Sequence, residues 1–142
     1  MIEVRTLTLD DYDAMMTVWK ASGLKIRPTG RESREQMERQ MSVGVQTILG
    51  AFVDGQLAGV VLATHDSRKG WINRLGVADA YKRHGVGRAL VQAAEDCLHQ
   101  QGITVIGALV EHQNEASRSL FESEGFEIVP TYYLSKRDRP DA

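Results

Sequence analysis

The sequence predicts a mixed α/β domain in which helices cover one sheet, with the element order β-α-α-β-β-β-α-β-α-β-β. Seven segments have the alternation or the β-branched content of strands, and four others repeat apolar residues at helical spacing. A length of 142 residues suits one compact domain, and the chain has no internal repeat or low-complexity linker. We therefore expect a single domain over residues 1–142.

The N-terminal part reads as one strand and two helices. "IEVRTL" alternates like a strand, and Thr8 with Asp11 three positions later is a capping-box start for a helix that should end near Gly23. Ser33 with Gln36 begins a second, short helix in the same way. The apolar positions of the first helix are Leu9, Tyr12, Met15, Met16 and Trp19.

Three strands are predicted in the middle of the chain. "QTILGAFV" and "QLAGVVLAT" are joined by Asp54-Gly55, a pair that supplies the positive φ angles of a tight hairpin turn. "WINRLGV" alternates as the next strand. The stretch "YKRHGVGRALV", residues 81–91, follows it almost at once and has two glycines one residue apart.

The remaining elements alternate between helix and strand. An amphipathic helix is predicted from Gly87 to Gln101, and "ITVIGALV" has the β-branched content of a buried strand. Another helix runs from about Asn114 to Glu124. "FEIV" and "TYYLS" are predicted as two more strands on either side of Pro130.

Composition limits the partners that the chain can attract. Its 17 basic and 19 acidic residues give a net charge of −2, so we expect binding to neither nucleic acid nor membrane. The N-terminus has acidic residues where a signal peptide would be apolar, so we expect a cytoplasmic protein. Cys97 is the only cysteine, and His65 and His112 have no ligand spacing between them. We therefore predict no internal disulfide and no metal site.

Gly85 and Gly87 have two readings. They could form only a strand-to-helix turn that needs positive φ angles. Alternatively, the first N–H groups of the helix and the positive end of its dipole form an anion site. Because glycine has no side chain, a phosphate can approach the backbone closely there. Positive charge around this site comes from Lys82, Arg83, His84 and Arg88.

Two familiar phosphate loops fit less well. A mononucleotide P-loop needs Gly-Lys-Ser/Thr, whereas this chain has Gly87-Arg88-Ala89. A dinucleotide fingerprint needs a small residue where Leu90 stands and an acidic residue at the end of the next strand. Glu111 near that strand end keeps the dinucleotide reading open as the weaker alternative.

The order of motifs resembles the GNAT superfamily of N-acetyltransferases, in its small, single-domain bacterial form. Members have x-x-x-Leu-x-Val, then Gln/Arg-x-x-Gly-x-Gly/Ala opening a helix, then Asn-x-x-Ala-x-x-Leu-Tyr-x-x-x-Gly-Phe. The corresponding residues here are Leu75-Gly-Val77, Lys82-Arg-His-Gly85-Val-Gly87, Asn114-Glu-Ala-Ser117-Arg-Ser-Leu120-Phe121 and Gly125-Phe126. The match runs from about residue 46 to 135, and the resemblance implies the GNAT-like acyl-coenzyme A N-acyltransferase fold.

The resemblance implies that the anion is the pyrophosphate of acetyl-coenzyme A, the cosubstrate. Backbone N–H groups of about Arg83 to Arg88 would hold the pyrophosphate, and the strand edge at Leu75 to Val77, splayed from "ITVIGALV", would pair with the pantetheine arm and stabilise an oxyanion. Asn114 would bind the pantetheine, cap its helix, or do both. The implied coenzyme-binding residues are Leu75, Gly76, Val77, Lys82, Arg83, His84, Gly85, Val86, Gly87, Arg88, Asn114 and Phe121.

Three departures from the family pattern bear on mechanism. Lys82 replaces glutamine or arginine and lacks the planar guanidinium, which should weaken a phosphate contact. Phe121 replaces the tyrosine that commonly protonates the departing thiolate, so the proton would come from water, Tyr132, Tyr133 or Ser117. Asn73 stands where many members have a glutamate base, and it could only order a chain of water molecules.

The sequence thus predicts an enzyme that transfers an acetyl group from acetyl-coenzyme A to a primary amine, on a small molecule or a peptide N-terminus, by direct attack in a ternary complex. Asn73 and Tyr132 are the candidate catalytic residues. The alternative is a non-catalytic acyl-coenzyme A sensor, and a homodimer stays open. The acceptor pocket should be lined by Trp19, Leu24, Arg27, Arg31, Tyr132 and Tyr133.

Overall fold

A computed structural model describes residues 1–142 as a five-stranded sheet with helices on both faces. The strands lie in the order β1-β2-β3-β4-β5; neighbours are antiparallel except β4 and β5, which are parallel. The strands are β1 (Ile2–Thr6), β2 (Gln46–Val53), β3 (Gln56–His65), β4 (Gly70–Val77) and β5 (Ile106–Ala108). The helices are α1 (Tyr12–Ala21), α2 (Arg34–Ser42), α3 (Val86–Gln100) and α4 (Glu115–Ser123).

The predicted capping box is present and is reinforced by an ion pair. The backbone N–H of Thr8 donates to the Asp11 carboxylate at 2.9 Å, and a short 3-10 turn precedes α1. Arg5 donates two hydrogen bonds to the same carboxylate, at 3.0 and 3.1 Å. These bonds, that of Arg5 first and that of the Thr8 N–H second, lower the pKa of Asp11 below its ordinary value.

The hairpin between β2 and β3 is confirmed. Asp54 has φ 49° and Gly55 has φ 79°, the two positive angles that the dipeptide predicts. The hairpin places β2 and β3 side by side over their full length, and β4 joins the other edge of β3.

The core has two parts, one on each face of the sheet. On one face α3 packs Leu90, Val91 and Leu98 against the strands. On the other face α1 and α2 contribute Trp19 and Met37, among others. Neighbouring residues of β3 therefore belong to different clusters, as alternation along a strand requires. No helix is both long and apolar enough to cross a membrane.

The sequence prediction is wrong for the last part of the sheet. β5 has three residues instead of eight, and "FEIV" and "TYYLS" are not strands. None of residues 127 to 138 donates or accepts a backbone–backbone hydrogen bond. An alternating apolar pattern forms a strand only where an adjacent edge supplies hydrogen-bond partners, and Pro130 also lacks an N–H. The element order ends with α4.

Candidate functional site

The glycine loop connects the end of β4 to the start of α3. A 3-10 turn (Asp79–Tyr81) follows β4, and Arg83 and Gly85 then adopt φ angles of 66° and 83°. Gly85 is the N-cap residue of α3 and has no side chain to cap the helix. Because L-residues rarely adopt a positive φ, glycine is the residue that this position favours.

Six consecutive backbone N–H groups in this loop have no hydrogen-bond partner within the protein. No backbone or side-chain acceptor takes the N–H of any residue from 83 to 88, and Ala89, which donates to the Gly85 carbonyl at 3.0 Å, is the first paired residue. Unpaired donors at the positive end of a 15-residue helix form a site for an anion. The backbone geometry agrees with the anion-site reading of the two glycines.

Side-chain charges around the loop are divided between ion pairs and free groups. Lys82 pairs with Asp79 at 2.9 Å. Arg88 hydrogen-bonds to Glu124 and donates to the Ser123 hydroxyl at 3.1 Å, so its guanidinium links α3 to α4 instead of facing the loop alone. The exposed side chains of Arg83 and His84 make neither a hydrogen bond nor an ion pair and remain available to an anion.

A β-bulge bends β4 beside the loop. Val60 faces Gly76 and Leu62 faces Asn73, so Arg74 and Leu75 together oppose one residue of β3. Arg74 has φ 55°, and its carbonyl accepts a hydrogen bond of 2.6 Å from the buried indole N–H of Trp19. The bulge is thus held from the α1 side of the sheet.

The other edge of β4 is open from Asn73 onward, which includes the bulge. β4 pairs with β5 only from Gly70 to Ile72, and β5 ends at Ala108. Residues 73 to 77 therefore have no strand beside them on this side, as the splayed arrangement of the two strands predicts. The open edge leads directly toward the glycine loop, since the position of a Cβ on Gly87 lies 3.8 Å from a methyl group of Val77.

The predicted site residues on β4 lie at this open edge, and Tyr132 lies in an exposed segment near the C-terminus. Asn73 is half-buried, and its side chain makes no hydrogen bond in the structure. Gly76 is buried, and a Cβ there would lie 2.5 Å from the Ser22 hydroxyl, so close packing of α1 favours glycine. Tyr132 is 93% exposed in a segment without backbone hydrogen bonds, and Tyr133 is also exposed. Neither tyrosine hydroxyl makes a hydrogen bond in the structure, so the role of Tyr132 as a proton donor stays a prediction.

The two predicted residues near α4 have local structural roles. The Asn114 side-chain oxygen accepts from the Ser117 N–H at 3.1 Å and caps α4, which leaves its amide NH₂ free. Phe121 is 6% exposed and packs edge-on against Phe126, with 5.1 Å between ring centroids. Phe121 is therefore mainly a core residue that packs beside α3.

A group of charges between the α1–α2 loop and the β4 bulge was not identified as a unit from the sequence. Glu32, 6% exposed, accepts from the backbone N–H of Arg27 at 2.7 Å and pairs with Arg74 at 3.1 Å. Burial lowers the pKa of Arg74, Glu32 opposes that change, and the nearby guanidiniums of Arg31, Arg27 and Arg137 reinforce it. The sequence indicated Arg27 and Arg31 only as separate candidates for the acceptor pocket, within the arginine-rich stretch "IRPTGRESR".

Comparison with known proteins identifies the family. The model of the acetyltransferase (GNAT) family matches residues 12–126, which is most of the chain. The chain belongs to the GNAT acetyltransferase family. It is therefore an acetyl-coenzyme A-dependent acetyltransferase, and this assignment favours the enzyme over a sensor that only binds the coenzyme.

Two further relatives of this GNAT protein agree with the assignment. An acetyltransferase of Pectobacterium atrosepticum is 29% identical over 136 residues, covering 96% of this chain and 95% of the relative. The crystal structure of the PaiA N-acetyltransferase of Thermoplasma acidophilum, in complex with coenzyme A, is 25% identical with a TM-score of 0.79 and covers 93% of each chain.

A more distant structure supports the fold alone. The ribosomal-protein-alanine N-acetyltransferase of Brucella melitensis biovar Abortus 2308 superposes with a TM-score of 0.75 at 17% identity. It covers 96% of this chain and 100% of the other.

Proposed function

We propose that this GNAT enzyme acetylates a primary amine, on a small molecule or a peptide N-terminus, by direct attack of the amine on acetyl-coenzyme A in a ternary complex. The observation that carries the proposal is the row of six unpaired N–H groups at residues 83 to 88, next to the open edge of β4. The row suits a diphosphate, and the edge suits an amide-containing arm. The complex of PaiA with coenzyme A adds support from a related protein.

The coenzyme is held mainly by the backbone in this proposal. The N–H groups of Arg83 to Arg88 bind the pyrophosphate, with Arg83 and His84 adding charge. The edge from Asn73 to Val77 pairs with the pantetheine, to which Asn114 offers its free amide. A backbone N–H of the segment Leu75 to Val77 donates to the oxyanion that forms when the amine attacks the thioester carbonyl.

The site has no basic side chain at position 73 that could take the proton from the attacking amine. The position before the bulge is Asn73, whose amide is not basic, so protons would leave through ordered water. Forming the neutral amine at pH 7 costs about 4–5 kcal/mol for an alkylamine and about 1–1.5 kcal/mol for a peptide α-amine. The absence of a carboxylate base at this position therefore favours an acceptor whose amine has a low pKa.

The departing thiolate also lacks an obvious acid. A C–N bond forms as the C–S bond breaks, and the proton released by the amine must reach the sulfur or the solvent. Phe121 cannot donate it, and the Tyr132 hydroxyl is exposed to solvent and makes no hydrogen bond that would hold it at the site. A thiol with a pKa of about 8.5 leaves without an acid at moderate cost, so the missing tyrosine lowers the rate without abolishing it.

Direct transfer is favoured because the only thiol lies away from the loop. Cys97 is half-buried on α3, 11 residues beyond Val86, which corresponds to about 16 Å along a helix. Its sulfur accepts from the Gln101 side-chain amide at 3.3 Å. Residues 73–88, which form the open edge and the glycine loop, contain no cysteine that could carry an acetyl group.

The test combines binding and turnover. Calorimetry should show coenzyme A binding, and acetyl-coenzyme A with a panel of amines should release free thiol faster than acetyl-coenzyme A alone. Initial rates that vary both substrates should give intersecting lines, and Cys97→Ser should retain the rate. Parallel lines would contradict direct transfer, and a flat pH–rate profile between pH 7 and 10 for the true acceptor would contradict proton loss through water.

A further inference from the structure

The α1–α2 loop carries more positive charge toward the β4 bulge than the protein neutralises. The charges that act on the Arg74 guanidinium come from Arg27, Arg31, Arg137 and Glu32, and of these only Glu32, which is buried, is acidic. We call these four arginines with Glu32 the arginine cluster. In the C-terminal segment, Arg137 donates to the Ala142 carbonyl oxygen at 2.5 Å, and Asp141 pairs with Arg139 at 2.7 Å, so Asp141 does not add a free carboxylate.

The carboxylate and the backbone of Glu32 already have hydrogen-bond partners within the protein. One of its oxygens accepts from both the Arg27 backbone N–H and the Arg74 guanidinium. Its backbone carbonyl accepts from the Tyr12 hydroxyl, and its N–H donates to the Arg27 carbonyl at 2.9 Å. These bonds fix the loop against the bulge, but they neutralise only Arg74.

Two of the arginines have no anionic partner. The Arg27 Nε atom is buried and makes no hydrogen bond, although unpaired buried donors are rare in folded proteins. Arg31 is exposed, and no carboxylate lies within ion-pair distance of its side chain. A buried donor without a partner, beside an exposed free guanidinium, is the arrangement expected of a site for an anion that is not part of the chain.

The cluster is located where the acceptor must approach. Arg74 belongs to the bulge of β4, and the open edge begins beside it at Asn73. In the proposed function the phosphates lie at the other end of this edge, so the thioester lies near the bulge. A group bound by the cluster would therefore belong to the acceptor.

We propose that the arginine cluster binds an anionic group, a carboxylate or a phosphate, on the amine acceptor. The cluster thus selects amino acids, acidic peptides or phosphorylated amines over polycationic amines, because four guanidiniums with one carboxylate repel a second positive charge. This inference rests on the proposed function, since it assigns the acceptor to the same site. It adds the chemical class of the acceptor.

The experiment compares two matched pairs of amines, glycine with glycinamide and O-phosphoethanolamine with ethanolamine. For each amine, kcat/KM is measured with the wild type, Arg31→Gln and Arg31→Glu. The effect of each substitution is the kcat/KM of the variant divided by the kcat/KM of the wild type for the same amine. Differences in amine pKa between the compounds therefore cancel. Arg39→Gln is the matched control, since the Arg39 side chain bonds only to Gln36 on the exposed face of α2.

We expect Arg31→Gln to lower kcat/KM at least tenfold for the anionic member of one pair or both, and less than twofold for each neutral member. Arg31→Glu should lower it further, and Arg39→Gln should leave every ratio near one. The pair that responds distinguishes a carboxylate from a phosphate. Equal effects on the anionic and neutral members, or no effect on either, would overturn the proposal.

A second measurement covers the case in which none of the four amines is turned over. Glycine and O-phosphoethanolamine are then titrated calorimetrically into the complex with coenzyme A. Binding of either that is lost in Arg31→Gln supports the anion site, whereas no binding, or binding equal in both proteins, overturns it. Failure of coenzyme A itself to bind would instead refute the proposed function and remove the basis of this inference.

Discussion

Replacing Gly85 with alanine separates the backbone role of the glycine loop from its role in the fold. Gly85 has φ 83°, and a Cβ there would meet only a methyl group of Ile2 at 3.9 Å. The substitution therefore introduces backbone strain without a steric clash. Strain of this kind costs about 1 kcal/mol, because alanine disfavours the left-handed region. The melting temperature should fall by about 3 °C for a chain of this size.

The same α-helix offers a control with the same backbone strain. Gly102, just beyond the end of α3, has φ 84° and nothing within 4 Å of a Cβ position. Gly102→Ala should thus destabilise the protein about as much as Gly85→Ala. It lies at the negative end of the helix dipole and cannot affect a phosphate at the other end.

The two variants should differ in coenzyme affinity. We expect alanine to relieve part of this strain by turning the peptide units at position 85, so that at least one N–H of the row from 83 to 88 no longer points at the diphosphate. A hydrogen bond to a charged group contributes about 1.5–3 kcal/mol, so the Kd for coenzyme A should rise by about 10- to 150-fold. Calorimetry checks this value, and circular dichroism checks the melting temperatures. Equal Kd values for Gly85→Ala and Gly102→Ala would refute the backbone cradle.

Three further outcomes test other parts of the structure. Asp11→Ala should cost about 1 kcal/mol of unfolding free energy at pH 7 by removing the capping box. The folded-state pKa of Asp11 lies below its unfolded value of about 3.9. The loss of unfolding free energy should therefore persist above about pH 5 and disappear as the pH falls through the folded-state pKa. Denaturant unfolding at several pH values measures this difference. Glu32→Gln should cost about 2–4 kcal/mol by the same measurement, since it leaves the half-buried guanidinium of Arg74 unpaired. Amide hydrogens of residues 127 to 136 should exchange at nearly the rate of an unfolded peptide; strong protection would show that the two predicted strands form.

The elements that the sequence predicted well are those whose signals are local. The capping box at Thr8 and Asp11 and the turn at Asp54-Gly55 involve residues three positions apart or fewer, and both occur as predicted. The start of α3 at the glycine loop is similarly local. In each case, short side chains or missing ones determine the backbone angles before any tertiary contact is made.

Where the prediction failed, the missing information was nonlocal. "FEIV" and "TYYLS" have apolar residues in strand order, but Ile128, Val129 and Leu134 are exposed because no neighbouring strand pairs with them. The sequence pattern records which side chains suit a strand. It does not record whether β5 is long enough to offer an edge, and β5 has only three residues.

The contrast between local and nonlocal signals also explains why the coenzyme site could be predicted from the sequence more fully than the acceptor site. Backbone N–H groups at a helix start and a strand edge bind the coenzyme in our proposal, and both follow from consecutive residues between Asn73 and Arg88. The arginine cluster instead joins Glu32 to Arg74, 42 positions away, and depends on the bulge that aims Arg74 toward the α1–α2 loop. No spacing rule predicts such a pair. Under these two proposals, variation in those side chains would change the acceptor while the backbone cradle for the coenzyme stays the same, because the two sites share only the bulged strand.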